Sequence, residues 1–270
     1  MTAKNRGVAA ELSLAGRGIA VTGGGGHLGS ALALGLVQLG ATVVICGRES
    51  AALDAVVTRS REIDSDGRIF AVQADVGSEK DVARVLDKVA READGVHGWV
   101  NNACSGSAEL LFELSGENTR RTLESGLGDL MLATQEVARR MCPEDEGAIV
   151  NVSSMYGAVS PQPHLYAEFP EYHNPPAYGA AKAGVIQFTR YAACHLAPRG
   201  IRVNCVSPGP FPREEIRAQE GFVAELSKRV PLGRVGEAHE VVGPTAFLLS
   251  RAASFVTGHN LVVDGGWTAW

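Results

Sequence analysis

The sequence predicts an α/β fold, a doubly wound, seven-stranded parallel sheet with helices on both faces. Three observations predict it. Short β-branched runs alternate with longer segments of helical period, the pattern of strand–helix–strand units. A glycine-rich turn stands at the first strand–helix junction. The polar clusters of chemical interest all fall at the ends of strand-like runs, where open parallel sheets bind ligands.

Taken in order, GIAVTG (18–23) is the first buried strand, followed by an apolar helical segment over 28–40. ATVVICG (41–47) and 49–64 form the next strand and helix. GRIFAVQAD (67–75) ends on Asp75 and leads into a helix over 78–93. HGWVNNA (97–103) precedes a long helix over 119–142, and GAIVNVSS (147–154) precedes one over 177–198. IRVNCVSP (201–208) is the sixth strand, with a helix over 214–229. A last helix over 238–250 contains Gly243 and Pro244, which work against it. NLVVDG (260–265) completes the sheet.

The chain has 270 residues, 45% of them hydrophobic, enough to bury a sizeable core. It reads as one domain over 1–270, with an extension at 1–13. Twenty-five basic against 30 acidic residues give a net charge of −5, which argues against a nucleic-acid or anionic membrane surface as the main partner. No apolar run approaches the ~18 residues of a membrane span. The 32 glycines follow no collagen period and serve turns and close backbone approaches. Five cysteines (Cys46, Cys104, Cys142, Cys194 and Cys205) are an odd number without a C-x-x-C pair. They read as small buried apolar side chains in a reducing compartment. The opening MTAKNRGVAAELSLAG has no leader-like apolar run, so a cytoplasmic protein is expected.

Residues 22–29 read TGGGGHLG, in which Gly24, Gly26 and Gly29 fit G-x-G-x-x-G. Between a strand and a helix, such a turn lets backbone N–H groups and the helix dipole receive a pyrophosphate. The expected contacts are Thr22, Gly23, Gly25, Gly26, His27, Leu28 and Gly29. At the end of the second strand an acidic residue would bind a ribose 2′-hydroxyl, but the sequence has Gly47-Arg48. Arginine holds a 2′-phosphate through charge-assisted bidentate bonds, so NADP(H) is favoured over NAD(H). The competing reading of Arg48 is a solvated surface side chain before the capping segment Glu49-Ser50. Asp75 also has two readings, an acceptor for the adenine amino group or the N-cap of the next helix.

Tyr178 and Lys182 are four residues apart, on one face of a helix. A nearby ammonium favours phenolate over phenol, and such a tyrosine exchanges a proton with a carbonyl or alcohol oxygen. Ser154, at the preceding strand end, offers a hydroxyl to the same oxygen. Read singly, the three are a half-buried tyrosine, a solvated lysine and a turn serine.

From Leu14 to Trp270 the chain resembles the short-chain dehydrogenases/reductases of about 250 residues. The resemblance rests on TGGGGHLG, Asp75-Val76, Asn101-Asn102-Ala103, Asn151-Val152-Ser153-Ser154, YGAAKAG, Ser207-Pro208-Gly209 and Val263-Asp264-Gly265-Gly266. It implies a Rossmann fold, a nicotinamide cofactor and a catalytic set of Ser154, Tyr178 and Lys182. In that set Ser154 orients the substrate oxygen and Tyr178 transfers the proton. Lys182 binds the nicotinamide ribose and tunes the tyrosine. Val76, Asn102, Ala103, Pro208, Gly209 and Phe211 would line the cofactor. The chemistry implied is hydride transfer at a carbinol carbon, in an assembly that is commonly a homotetramer.

Four departures stand out. His27 takes the place of a motif glycine, either crowding the pyrophosphate or pointing outward. Gly26 stands where NADP-dependent members carry a basic residue. Cys104 replaces the glycine of N-N-A-G. Gly126 falls where members carry a relay asparagine in the long helix. In addition, 24 positions separate Ser154 from Tyr178 (178 − 154), roughly twice the family's spacing. The extra segment at 161–176 has five prolines and suits neither a helix nor a central strand. A semi-rigid loop at the substrate mouth is expected, with Tyr156, His164, Tyr166, Tyr172 and Arg213 as substrate contacts. Its other reading is a wall for a subunit contact. His164 and His173 lack further ligands, so no metal is expected.

Residues 211–230 are expected to form a flap, with Arg213 or Arg217 meeting an anionic substrate group. The aromatic tail at 265–270 is expected to pack on a neighbouring subunit. The expected activity is interconversion of a secondary alcohol and a ketone on a sugar-like or polyol substrate. A 3-oxoacyl-thioester or polyketide ketoreductase is the alternative, and a non-catalytic dinucleotide-binding sensor or scaffold is the reading from a different class.

Overall fold

The structure, a computed structural model, describes residues 7–106, 109–141 and 147–270. Seven strands form one parallel sheet in the order β3-β2-β1-β4-β5-β6-β7. They are β1 (Gly18–Thr22), β2 (Thr42–Gly47), β3 (Arg68–Gln73), β4 (Gly98–Asn101), β5 (Ala148–Val152), β6 (Arg202–Pro208) and β7 (Asn260–Val263). All seven sit on the runs the sequence marks as strands. A central parallel strand is covered on both faces and so reads as a continuous apolar run, and β1, β4, β5 and β6 are buried along their whole length.

Successive side chains alternate between the two faces. Ile19, Val21, Val43, Ile45 and Val100 join Leu32, Leu36, Leu53 and Leu248 in one core. They meet α2 (His27–Gln38), α3 (Ser50–Ser60) and α10 (Val242–Leu249). Ala20, Val44, Trp99, Ile149 and Val203 join Val85, Leu86, Val89, Val137 and Ala192 in the other. These belong to α4 (Glu79–Ala93), α6 (Asp129–Arg140) and α7 (Pro176–Leu196). A short helical turn, α1 (Val8–Leu12), precedes the sheet.

Three helices differ from expectation. The segment expected as one helix over 119–142 is α5 (Gly116–Leu123), a π turn over Glu124–Gly128, and α6. Gly126, in that turn, is buried against α7, where a Cβ would lie 3.0 Å from the Ala181 Cβ. The segment 214–229 divides into α8 (Glu214–Arg217) and α9 (Glu220–Arg229). The last helix opens with a 3-10 turn over Ala238–Val241. Pro244 falls in the first turn of α10, where its missing N–H removes no helical bond.

A buried polar chain ties the sheet to α6 and α7. Asn101 Nδ2 donates to Asn151 Oδ1 (2.9 Å) and Thr134 Oγ1 (3.0 Å). Asn151 Nδ2 donates to Thr189 Oγ1 (2.9 Å), and Trp99 Nε1 to Asn101 Oδ1 (2.6 Å). Cys46 and Cys205 are buried free thiols, as expected, but Cys104 and Cys194 are exposed. Cys142 lies outside the described residues.

Candidate active site

The sheet reverses its winding between β1 and β4, and a cleft of about 960 Å3 opens there across the strand ends. One end is lined by Arg48, Asp75 and Val76, the middle by the glycine turn, Asn102 and Ala103. The other end is lined by Ser154, Tyr178, Lys182, Pro208, Gly209 and Phe211.

The glycine turn is locked by close approaches. Gly23 has φ +63°, and a Cβ on Gly29 would lie 2.1 Å from the Gly23 carbonyl oxygen. Asn102 Nδ2 donates to the Thr22 and Gly23 carbonyls at 2.9 and 3.3 Å, fastening the β4 loop to the turn. Gly26, the residue before α2, is exposed, and a Cβ there would meet nothing nearer than the Gly23 oxygen at 3.3 Å. Backbone N–H groups at the start of a long helix, bare of side chains and open to a cleft, fit a diphosphate.

His27, the first residue of α2, is exposed and lines the cleft beside this turn. Partial burial and then the guanidinium charges of Arg217 and Arg213 hold its pKa below the ordinary 6.5, against the opposing carboxylates of Glu215 and Glu237.

At the other end α7 carries Tyr178 and Lys182 on one face, with the Lys182 Nζ 5.6 Å from the centre of the Tyr178 ring. Lys182 is buried and donates to the Val152 carbonyl at 2.9 Å, so its charge is directed to the end of β5. Ser153 Oγ donates to the Lys182 carbonyl at 2.7 Å, which fixes the helix against the strand end. Ser154 is buried, and its Oγ accepts from Tyr156 N at 3.1 Å. The hydroxyl proton is left for another acceptor. A strand-end hydroxyl, a phenol and an ammonium thus border one space, which is suited to holding an oxygen and moving a proton on it.

A family model described as Enoyl-(Acyl carrier protein) reductase matches residues 25–268. The chain belongs to the short-chain dehydrogenase/reductase family. It is 40% identical over 253 residues to cis-4-hydroxycyclohexanecarboxylate dehydrogenase of Sinomonas cyclohexanicum, covering 92% of this chain and 95% of that protein. It is 34% identical over 251 residues to 3-oxoacyl-[acyl-carrier-protein] reductase of Synechocystis sp., covering 91% and 94%. A solved short-chain type dehydrogenase/reductase from Mycobacterium marinum superposes with a TM-score of 0.87 at 29% identity, covering 98% of this chain and 100% of that one. As a short-chain dehydrogenase/reductase, the protein is an oxidoreductase that interconverts a secondary alcohol and a ketone with a nicotinamide dinucleotide.

Several side chains are placed differently from the sequence reading. Thr22 is buried behind the turn. Its Oγ1 accepts from Asn102 N and Ala103 N, both at 2.9 Å, so it braces the loop and does not face the cleft. The N-cap reading of Asp75 is excluded. Ser78 caps α4, accepting from Asp81 N at 3.3 Å, and Asp75 Oδ1 accepts from Gly77 N at 3.0 Å. Arg48 is exposed and borders the cleft, as does Asp129. Burial and the charge of Asp75 hold the Asp129 carboxyl above its ordinary range, opposed by Arg48. Asp129, Ser125 and Cys104 line the cleft without having been singled out as contacts. The glycine pair of Ser125-Gly126-Leu127-Gly128-Asp129 was the available sign of a break that turns this segment inward.

The substrate contacts expected from the insertion do not line the cleft. Tyr156 and Tyr166 are buried, and their hydroxyls bond each other, with Asn174 Nδ2 donating to Tyr166 at 3.2 Å. Burial pushes both phenol pKa values up. The insertion folds into two 3-10 turns, Pro163–Leu165 and Pro170–Tyr172. It packs on α9, with the rings of Tyr172, Phe169 and Tyr166 lying 4.6, 5.2 and 6.0 Å from that of Phe222. His164 and Arg213 are exposed. Arg217 is not free for a substrate anion. It pairs with Glu237 at 2.8 Å and donates to the Pro212 and Gly236 carbonyls. In the tail, Trp267 is buried in the aromatic cluster of its own chain, and Trp270 is exposed. Among the described residues no group of His, Cys, Asp and Glu has a metal-binding arrangement, and no helix is long and apolar enough to cross a membrane.

Proposed function

We propose that Ser154, Tyr178 and Lys182 are the catalytic residues of an NADP(H)-preferring dehydrogenase or reductase for a compact, sugar-like or ring-shaped secondary alcohol. The observation that carries the reading is the shared cleft, which holds the glycine turn along its middle and these three side chains at one end. When bound there, the nicotinamide supplies or accepts the hydride. Ser154 holds the substrate oxygen through its free hydroxyl proton. Tyr178 passes a proton to that oxygen in reduction and takes one from it in oxidation. Lys182, anchored on the Val152 carbonyl, places an ammonium beside the phenol and the cofactor ribose. The Pro208-Gly209 turn and Phe211 exclude water from the reacting end. Arg48 at the cleft edge supports the 2′-phosphate preference.

The ring-shaped substrate rests on the 40% identity to a hydroxycyclohexanecarboxylate dehydrogenase and on the insertion, which braces α9 with packed aromatic rings. The likeness to a 3-oxoacyl-[acyl-carrier-protein] reductase keeps the thioester as the second reading. For assembly, the exposed Leu123, Met131, Leu132 and Tyr191 on α5, α6 and α7 support a homotetramer. The free thiols support a reducing, cytoplasmic setting.

Initial rates with both dinucleotides over a panel of cyclic hydroxy acids, polyols and 3-oxoacyl thioesters test the reading. Turnover is expected with a ring-shaped or polyol substrate. Tyr178→Phe is expected to lose about 100-fold or more in kcat at an unchanged dinucleotide Kd. Dinucleotide binding without turnover anywhere on the panel favours the sensor reading instead, and a Tyr178→Phe variant as active as the unaltered chain removes Tyr178 from the catalytic set.

A further inference from the structure

Just after β5, Ser154 leads directly into the 3-10 turn Met155–Gly157. Ser154 Oγ accepts from Tyr156 N at 3.1 Å, so the direction left to its own proton depends on where that turn lies. The turn is wedged against α7. A Cβ on Gly157 would lie 2.8 Å from the Lys182 carbonyl, and one on Gly179, the residue after Tyr178, 3.1 Å from the Tyr156 carbonyl oxygen. Such contacts stop the turn from moving towards α7 but do not stop it from moving away.

The pull that keeps it in place comes from its side chains. Met155 packs in the aromatic cluster, and Tyr156 is the turn's one polar side chain. The Tyr156 hydroxyl bonds that of Tyr166 in the proline-rich insertion, and Asn174 Nδ2 donates to the Tyr166 oxygen at 3.2 Å. Both tyrosines are buried, where a hydrogen bond is electrostatically stronger than in water. The insertion is itself anchored. The Tyr166 ring lies edge-on to His173 at 5.2 Å and 6.0 Å from that of Phe222, and Arg229 Nε of α9 donates to Gln162 Oε1 at 3.1 Å. A fixed body outside the cleft thus grips, through one phenol pair, the turn whose N–H orients Ser154. Neither phenol lines the cleft, so the pair acts on the chemistry through Ser154 and not by touching the reactants.

We propose that Tyr156 and Tyr166 are positioning residues, a phenol pair through which the insertion aligns the Ser154 hydroxyl on the substrate oxygen. This assignment rests on the reading of Ser154 as a catalytic residue. It gives the insertion a part in the reaction without a contact to substrate.

Steady-state rates and amide hydrogen exchange on the full chain test it. The variants are Tyr156→Phe, Tyr156→Phe with Tyr166→Phe, Ser154→Ala, and Ser154→Ala with Tyr156→Phe. The probe substrate is the cyclic hydroxy acid, polyol or 3-oxoacyl thioester of the panel above that the unaltered chain turns over fastest. Tyr156→Phe keeps the ring and leaves Tyr166 bonded to Asn174, and the double change removes both hydroxyls, so neither variant orphans a buried hydroxyl. Matching thermal melts check that they fold. Both are expected to lower kcat about tenfold, with substrate KM and dinucleotide Kd unchanged. In Ser154→Ala the loss from Tyr156→Phe is expected to vanish, because no hydroxyl remains to be aligned. The amides of residues 156–159 are expected to exchange about tenfold faster in Tyr156→Phe with no substrate present. An unchanged kcat, an equal loss with and without the Ser154 hydroxyl, or unchanged exchange overturns the assignment. So does a raised KM at unchanged kcat, which makes Tyr156 a substrate contact. If Ser154→Ala is as active as the unaltered chain, or if no panel member turns over, the catalytic reading of Ser154 falls, and this assignment with it.

Discussion

His27 is largely neutral at pH 7, because partial burial and the charges of Arg217 and Arg213 depress its pKa, while Glu215 and Glu237 only partly oppose them. In the unfolded chain it titrates at its ordinary value of 6.5. As pH falls through 6.5 the unfolded state takes up this proton first, so the apo protein loses stability on acidification. His27→Asn is expected to lose that part of the pH slope in urea denaturation at graded pH. A bound diphosphate reverses the sign locally, since its negative charge favours the imidazolium. Dinucleotide binding near pH 6.5 is therefore expected to take up protons, measurable as a dependence of the binding enthalpy on buffer ionisation enthalpy. A uniform heat in all buffers contradicts this. The sequence showed that a histidine had displaced a motif glycine. It did not show that two arginines some 190 residues later would set the charge of that histidine, because only the tertiary fold brings them together.

Among the elements, the π turn at Glu124–Gly128 was the least legible. Its two glycines advertised a weak point, but the extra residue per turn arises from the approach to α7. A Cβ on Gly126 would lie 3.0 Å from the Ala181 Cβ and 3.6 Å from Cys104 Sγ. Cys104 thus fills space that a side chain at 126 would need. Gly126→Asn is expected to push α6 away from α7 and destabilise the protein by about 1–3 kcal/mol, read by chemical denaturation. Cys104→Gly in the same chain is expected to relieve part of that cost, and strict additivity of the two changes would contradict the shared space. The strands were legible because each parallel strand needs only an apolar run. The insertion was legible as proline-rich and irregular, but its partner was not. Tyr156 and Tyr166 carry no sequence mark that separates a buried hydroxyl pair from a substrate contact.

For the whole molecule, the order β3-β2-β1-β4-β5-β6-β7 decides where the chemistry sits. It brings the end of β1 beside that of β4, and the Asn101–Asn151–Thr189 chain holds α7 to the same strands. Residues far apart in sequence thereby line one cleft, and their strand-end positions made this much readable in advance. Assembly was less readable. Of the tail aromatics, Trp267 is used internally and Trp270 remains exposed. Light scattering on the purified protein is expected to give the mass of four chains. Replacing Met131 and Leu132 by lysine is expected to reduce it, and a monomeric unaltered chain contradicts the homotetramer.

The packing of α9 has one more consequence. Phe222 lies against Tyr166, Phe169 and Tyr172, so an outward swing of α9 must separate three ring pairs together. The base of the flap instead presents the charge of the exposed Arg213. Ring contacts are little affected by ions but vary with heat, whereas a charge at the surface is screened by salt. One arm thus responds to two different solvent variables, ionic strength at its base and temperature along its helix.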